Sequence, residues 1–586
     1  LFGASAMIAT GSAAQPICSI AEADRLLADD PRFATSRRID NGQSVDRWLH
    51  GPTTLQDIAA LYRAHGEREF LVYKDERCTY LAALKAAELV ADALLRAGIM
   101  PGDRVALLMR NRMEWPPCFL GAVLAGGIVV PINGWTLAPE AQAAIADCGA
   151  RFLFSDRTDV TLPDGGCAHW VVAAESDQRL EALIGKAGTW AALPSVTLPR
   201  PARGPDDIAA IFHTSGTTSR PKGATITHRA ITATVKNSEY NAARTRLRFP
   251  LRPDAPVCSA AAPAALFPIP FFHVSGAIPG LIGSSAIGAK IVMMQRWDVE
   301  DALRIIEHER ITLIGGVPTM PLQLLNHPRL ADYDLSSLTG LLYGGAPAPS
   351  RLPVAIAGTL GAEASTGWGM TETASTLLHN SGPDYLLRPG SCGVAVPVNA
   401  ARIADPRDAE VPIGTVGELQ VRGLNVFAGY WNRPEETAAA FTADGWFRTG
   451  DLARIDAEGF VTIVDRAKDI IIRGGENIAC IEIEDALSTH PAIVEAAVVG
   501  RSHETLGEEP AAFVTLAPGV TVEEEALRRH VAGLLARHKV PVRVIVSADP
   551  LPRNPAGKVL KDKLRRIAET ELSAQTAMHD FVEGSQ

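Results

Sequence analysis

Between Thr214 and Ala224 the chain runs through a stretch of hydroxyl side chains and glycine, then Arg220, Pro221, Lys222 and Gly223. Glycines let backbone N–H groups converge on phosphate oxygens, hydroxyls add donors and a lysine supplies charge, so this loop is suited to hold a polyphosphate. It is not the GxxxxGK[ST] loop that opens a helix, because Lys222 follows Gly216 by six positions and is flanked by Pro221 and Gly223. Three further residues could do chemistry. Glu372, after Gly367-Trp368-Gly369-Met370-Thr371, could hold Mg²⁺, which takes one or two carboxylates plus phosphate oxygens and water; it could equally be a glutamate favoured at a helix N-terminus. Asp451, closing Arg448-Thr449-Gly450, would sit at a strand end as either a hydroxyl acceptor or a turn aspartate. Lys558, in Asn554-Pro555-Ala556-Gly557-Lys558-Val559, read alone is a solvated charge.

These residues are spread over 586 positions, more than one hydrophobic core usually supports, so at least two domains are expected. Hydrophobic residues make up 47% and charged residues 21%, a globular composition. The net charge of −10 excludes a broad electrostatic footprint for nucleic acid and leaves a small-molecule site. Eight scattered cysteines, with no CxxC pair, suit a reducing cytoplasm and no metal cluster. The apolar opening lacks a basic segment and reads as a frayed terminus rather than an export signal. Residues 266–289 contain no charged side chain, but Pro268, Pro270 and Pro279 interrupt them, so buried strand and loop are expected rather than a membrane span.

Helical spacing over residues 80–98, followed by the short apolar run at 103–109, reads as helix handing over to strand. The pattern recurs at 115–127 and 128–133, with more strands at 151–156 and 289–294. Such alternation predicts an α/β fold with a largely parallel sheet. From about Asp465 the texture changes to a smaller α+β unit, and the last dozen residues read as a polar tail.

Together with "TSGTTSRPKGA", the segments "GWGMTE", "WFRTGD", "VDRAKD", "RGGENI" and "NPAGKV" stand in an order that resembles the adenylate-forming superfamily of acyl-CoA synthetases, luciferases and peptide-synthetase adenylation domains. The resemblance covers residues 55–570. It implies a large N-terminal α/β domain with mixed and parallel sheets joined by a hinge to a small α+β C-terminal domain. The corresponding division is an N-terminal extension at 1–40, an adenylation domain at 41–467 and a mobile domain at 468–586. It also implies ATP, Mg²⁺ and coenzyme A as reactants.

Residue by residue, the resemblance assigns phosphate binding to Thr214, Ser215, Gly216, Thr217, Thr218 and Lys222, and Mg²⁺ to Glu372. The adenine would lie between Gly345-Ala346-Pro347 and Trp368-Gly369-Met370-Thr371, although Trp368 alone also reads as a core residue. Asp451, assisted by Arg466, would take the ribose hydroxyls. Lys558 would touch the carboxylate and α-phosphate, with Thr214 and Glu372 completing the catalytic set. Lys468 matches the hinge about which the small domain turns, replacing Lys558 with Arg473, Gly474, Gly475 and Glu476 at the pantetheine tunnel.

The segment "PIPFFHVSGA" has no aspartate to pair an amino group, and this form resembles carboxylic acid:CoA ligases rather than peptide-synthetase domains. Loading of a carrier protein and fatty acyl-AMP or luciferase-like activity are the alternatives. Mere nucleotide binding is disfavoured by the presence of Lys558 and Glu372. The acyl pocket is expected to be walled by Phe272, His273, Val274, Ser275, Gly276, Leu341, Gly344 and Ala364. Without a lysine or arginine among them, an apolar acid is expected, aryl or arylalkanoic ahead of long-chain fatty. His273 could stack on an aromatic acid or be a satisfied core histidine. Where relatives often carry a tryptophan near the CoA nucleotide, this chain has Leu506. Small-molecule partners only are expected, in a monomer or homodimer.

Overall fold

A computed structural model describes residues 15–40, 43–163, 166, 168–172, 179–214, 222–249, 263–517, 519–554 and 557–570. The predicted polar tail and the first 14 residues lie outside this set. The chain folds as mixed α/β, and two large sheets carry most of it. One has seven strands in the order Gly429–Tyr430, Gly223–Thr227, Ile208–His213, Ile128–Asn133, Arg104–Met109, Phe152–Ser155 and Ala168–Val171. Its last five strands are parallel.

The second sheet has nine strands in the order Val394–Ala395, Ser375–Ser381, Glu363–Met370, Gly340–Gly344, Leu313–Gly316, Ala264–Phe267, Lys290–Met293, Glu69–Tyr73 and Glu76–Thr79. Between the two sheets lie the helices Tyr80–Arg96 and Trp115–Leu124, in one core with Leu71, Leu107, Val129 and Phe212. The first is capped by Thr79, whose hydroxyl accepts from Ala82 N–H, and it is apolar over most of its girth because it is buried on more than one side. The two helices touch at Gly121, where a Cβ would lie 2.6 Å from Val90 Cγ1.

The uncharged run is not strand and loop throughout. After the strand Ala264–Phe267 the chain turns and forms a π-helix over Gly276–Gly283, continued by Ser284–Ala286. Pro279 is tolerated inside it because a π-helical stretch has already given up the ordinary i to i−4 hydrogen bonds. No helix among the described residues is long and apolar enough to cross a membrane.

Strand pairing crosses the boundary expected at residue 40. Thr35–Asp40 and Gln43–Trp48 are the two arms of one hairpin, with Asp40 opposite Gln43. The preceding helix Ile20–Ala28 is fastened to the long helix His228–Arg248, its Asp24 accepting from Arg244 Nε at 2.7 Å and Tyr240 Oη at 2.9 Å. Residues 15–40 are therefore part of the large unit.

A four-stranded antiparallel sheet, Asn399–Ala404, Gly417–Gly423, Phe447–Ile455 and Val461–Arg466, leads to the C-terminal unit. There the hairpin Ile471–Arg473/Glu476–Ile478 and the strands Ile493–His503, Gly507–Leu516 and Arg543–Val546 form a separate sheet. The helices Cys480–Ser488 and Glu524–Ala532 share its core through Ile483, Leu487, Leu527 and Val531.

Candidate functional site

The phosphate-loop segment spans two antiparallel strands. His213 faces Gly223 at the last ladder pair, and beyond it Thr214 N–H donates to Lys222 O at 2.8 Å while Lys222 N–H reaches Thr214 Oγ1 at 3.4 Å. Ser215, Gly216, Thr217 and Thr218 lie outside the described residues, so the structure fixes the loop's base and the position of its lysine. Lys222 Nζ stands 5.0 Å from the centre of the Tyr430 ring, and Tyr430 Oη donates to Glu372 Oε1 at 2.8 Å.

Glu372 lies in a single 3₁₀ turn, Thr371–Thr373, that ends the strand Glu363–Met370. The chain leaves this turn through Ala374 (φ 49°) and Ser375 (φ 79°), two side-chain-bearing residues in the left-handed region. Holding such backbone costs on the order of 1–3 kcal/mol per residue and is sustained only where the surroundings dictate it. Thr373 supplies part of that support, its Oγ1 accepting from Met370 N–H and donating to Ser375 O. Burial raises the Glu372 carboxyl above its ordinary value; the Tyr430 hydroxyl and the nearby Arg466 and Lys222 charges oppose this.

Asp451 is not at a strand end but within Phe447–Ile455, just before an irregularity in the ladder at Leu452 and Ala453. Its buried carboxylate accepts from Trp368 Nε1 at 2.7 Å and pairs with Arg466 Nε at 3.2 Å, Arg466 being its cross-strand partner. Trp368 is thus buried and tethered by its N–H. Gly345, Ala346 and Pro347 follow the strand Gly340–Gly344, with Gly345 (φ 78°) making the turn.

Lys558 arrives from the C-terminal unit. Asn554 holds its loop, the side chain accepting from Lys558 N–H at 3.0 Å and the main chain donating back to Lys558 O at 2.9 Å. The loop presses on the large unit at Gly557, where a Cβ would lie 3.0 Å from Val317 Cγ2. Burial drives the Lys558 amine down to about 8; Arg466 pushes the same way and Asp451 opposes it. Elsewhere the two units meet through Ser350, whose N–H and hydroxyl both donate to Asp485 at 3.0 Å, and Arg351, which donates to Ile493 O at 2.9 Å.

Arg473, Gly474, Gly475 and Glu476 are not brought to this cluster. They form the tip of the C-terminal hairpin, with Arg473 Nη1 donating to His538 O at 3.1 Å and Gly474 N–H to Leu506 O at 2.7 Å. Leu506, where a tryptophan is common among proteins the sequence resembles, packs beside Gly474. Lys468 is exposed in the turn between the strands Val461–Arg466 and Ile471–Arg473.

The expected acyl wall needs correction at two positions. Leu341 and Ala364 are register partners, and both point into a separate core with Leu352 and Ile356, away from Phe267. Along Glu363–Met370 the burial alternates so that Glu363, Ser365 and Gly367 are the more accessible residues, and in Gly340–Gly344 these are Leu342 and Gly344. The expected set was one residue out of phase with the pleat. Phe272, Val274 and Gly276 are buried and His273 and Ser275 half-buried, on the segment entering the π-helix, with the Phe272 and His273 rings 4.7 Å apart. Burial lowers His273 to about 4, so its imidazole is neutral near pH 7. Tyr430 was missed altogether, since a tyrosine after a glycine carries no signal until the chain brings it to Glu372.

With this geometry in place, the comparisons are unambiguous. The chain belongs to the AMP-binding enzyme family: that family's profile matches residues 59–431, and the profile of the AMP-binding enzyme C-terminal domain matches residues 482–558. It is 34% identical over 488 residues to a feruloyl-CoA synthase of Amycolatopsis sp, covering 83% of this chain and 93% of that one. It is 34% identical over 502 residues to the long-chain-fatty-acid–CoA ligase FadD13 of Mycobacterium tuberculosis, covering 84% and 93%. Among solved structures, the o-succinylbenzoate CoA synthetase of Bacillus subtilis with its acyl-adenylate intermediate superposes with a TM-score of 0.71 at 29% identity, over 88% of this chain and 98% of that one. In class it is an AMP-forming acid–thiol ligase, an acyl-CoA synthetase.

Proposed function

We propose that the chain activates a largely apolar carboxylic acid, aryl or arylalkanoic ahead of fatty, and delivers it to the thiol of coenzyme A. A carboxylate oxygen attacks the α-phosphorus of ATP, the bond to pyrophosphate breaks, and the acyl-adenylate forms. The thiol sulfur, losing its proton, then attacks the acyl carbon and AMP departs. The observation that carries this reading is the arrival of Lys558 from the C-terminal unit beside Arg466 and Asp451, with Glu372 and Lys222 in the same electrostatic environment.

On this reading Lys222 and the loop it closes bind phosphates, Asp451 takes the ribose hydroxyls, and the adenine lies by Trp368 and Gly345–Pro347. Lys558 stabilises charge on the carboxylate and α-phosphate as it moves in the transition state. Glu372 suits Mg²⁺: one of its oxygens is engaged by Tyr430, and no group of three metal-ligating side chains gathers among the described residues. The ion would draw its other ligands from phosphate and water and neutralise phosphate charge. The turn at Lys468 is proposed as the pivot, and Arg473–Glu476 as the pantetheine-binding tip that replaces Lys558 after rotation. The six described cysteines are unpaired, which supports a reducing cytoplasm, and the chain is read as a monomer or homodimer.

The test is release of AMP and pyrophosphate from ATP across a panel of benzoic, cinnamic, arylpropionic and fatty acids, with and without coenzyme A. AMP with every productive acid, and thioester only with coenzyme A, is expected. ADP as product, or no AMP with any acid, overturns the reading.

A further inference from the structure

One buried side chain of the large unit serves the small one. Asp465 lies on the strand Val461–Arg466, paired with Leu452 in the four-stranded sheet, and is 2% exposed. Successive side chains of a strand point to opposite faces. Arg466 accordingly turns to Asp451 and the reaction centre, whereas Asp465 turns to the C-terminal unit. Its Oδ1 accepts from Arg466 N–H at 2.7 Å, and its Oδ2 from Cys480 N–H at 2.5 Å. An aspartate placed only to hold its own sheet would find its partners there; Oδ2 finds its partner across the Lys468 turn.

Cys480 is the first residue of the helix Cys480–Ser488, and the position before it is Ala479, whose methyl group cannot accept a hydrogen bond. Helices commonly satisfy their first N–H groups with the side chain of the preceding residue, and a carboxylate placed there also meets the positive end of the helix dipole. This helix takes its carboxylate from the other unit. The same carboxylate bears on Lys561, whose amine pairs with Glu484 of that helix at 2.8 Å and which stands at the start of the helix at 561–570, three residues after Lys558. Burial alone would lower the Lys561 amine, but Glu484 and Asp465 hold it above its ordinary value. Burial raises the Asp465 carboxyl, and the Lys561 charge and the two N–H groups oppose this. Two of those three supports, Lys561 and Cys480 N–H, come from the small unit.

We infer that Asp465 is the positioning residue that holds the small unit in its adenylating posture, by capping a helix of that unit from the large one. This deepens the proposed function and rests on the rotation at Lys468 proposed there. Ile471, Ile478, Cys480 and Ile483 share one core, so the helix turns together with its hairpin. Carrying Arg473–Glu476 to the reaction centre therefore takes Cys480 N–H and Lys561 away from Asp465, and water replaces them. Asp465 thus weights the balance towards the first half-reaction, with no part in binding ATP or the acid.

The experiment measures two single-turnover rates in the wild type, Asp465→Ala and Asp465→Asn: acyl-adenylate formation, and acyl transfer from supplied acyl-AMP to coenzyme A. The acid is the one of the panel that gives AMP fastest in the wild type, and ATP is saturating throughout, so that a disturbed Arg466 does not enter through weaker ATP binding. For two postures in rapid exchange, the ratio of transfer to adenylation varies inversely with the docking equilibrium, whichever posture predominates. Asp465→Ala leaves Cys480 N–H without its acceptor in the docked posture alone, so the ratio should rise at least fivefold, in keeping with one lost hydrogen bond to a charged group. Asp465→Asn, whose oxygen can take one N–H while its amide NH₂ opposes the other, should raise it at least twofold and decides the matter if Asp465→Ala does not fold. A merely structural role would slow both steps alike and leave the ratio where it was. A smaller rise than stated in a folded variant overturns the inference while leaving the ligase reading intact. Absence of AMP in the wild type with every acid of the panel removes both.

Discussion

The Lys558 amine offers a test that needs no mutation at all. Its value of about 8 in the docked arrangement means that roughly 90% of the molecules carry the charge at pH 7 and roughly 10% at pH 9. If the charged amine is what stabilises the adenylation transition state, kcat/KM for ATP, which reports the free enzyme, should fall about ninefold between those pH values. The sign follows from the direction of the shift: burial lowers this group, so its active, protonated form is present below about 8 and is lost as pH rises through it. If undocking, on the rotation proposed above, returns the amine to its ordinary value of 10.5, docking releases a proton between about 8 and 10.5 and is favoured by rising pH there. Loss of rate on this limb is therefore not undocking. The assay is single-turnover formation of acyl-adenylate at subsaturating ATP from pH 6.5 to 9.5. Lys558→Arg, whose guanidinium stays charged, should be slower but lack the limb. Lys558→Ala should lose about 10²- to 10³-fold, the usual loss of one preorganised transition-state donor, yet still transfer the acyl group from supplied acyl-AMP to coenzyme A. A wild-type profile flat to pH 9.5, or the same limb in Lys558→Arg, refutes the assignment.

Three further outcomes are expected. Glu372→Gln keeps the shape and the Tyr430 contact but removes a charge, so the Mg²⁺ and ATP concentrations needed for half-maximal adenylation should rise at least tenfold, measured by titrating each; Tyr430→Phe should produce a smaller rise. Asp451→Ala removes the acceptor that holds Trp368 Nε1 and Arg466, so KM for ATP should rise, and ATP binding should weaken by titration calorimetry. Lys468→Pro should slow acyl transfer to coenzyme A more than adenylation in single-turnover measurements, because a fixed φ at the turn restricts rotation.

The segments that the structure gathers around Lys558 could be picked out in the sequence because each motif is local. Thr214 and Lys222 sit in a segment whose residue types suit a polyphosphate, whereas Glu372, Asp451, Arg466 and Lys558 were singled out by the resemblance of the short motifs that carry them. What joins them is not local. Tyr430 reaches Glu372 across 58 positions, and Trp368 reaches Asp451 across 83. The acyl wall failed at Leu341 and Ala364 for a different reason: a strand buried on both faces shows no polar alternation, so Leu341 and Leu342 are indistinguishable until the pleat is seen. The prolines of residues 266–289 correctly argued against a membrane span and wrongly against a helix, because a π-helical stretch tolerates what an α-helix does not. The strand pairing of Thr35–Asp40 with Gln43–Trp48 crosses the boundary expected at residue 40.

Among the described residues, the hydrogen bonds between the two units include Ser350 with Asp485, Arg351 with Ile493 O, and Asp465, on the large unit's last strand, accepting from Cys480 N–H at the start of the small unit's first helix at 2.5 Å, beside the seat of Gly557 on Val317. Hydrogen bonds of this kind are worth about 1 kcal/mol each, since water replaces them once they break. A greasy seam of the same extent would hold the docked state far more firmly. On the rotation proposed above, the chain thus keeps time rather than place: the first reaction lasts as long as a handful of weak bonds, and the second begins when they lapse.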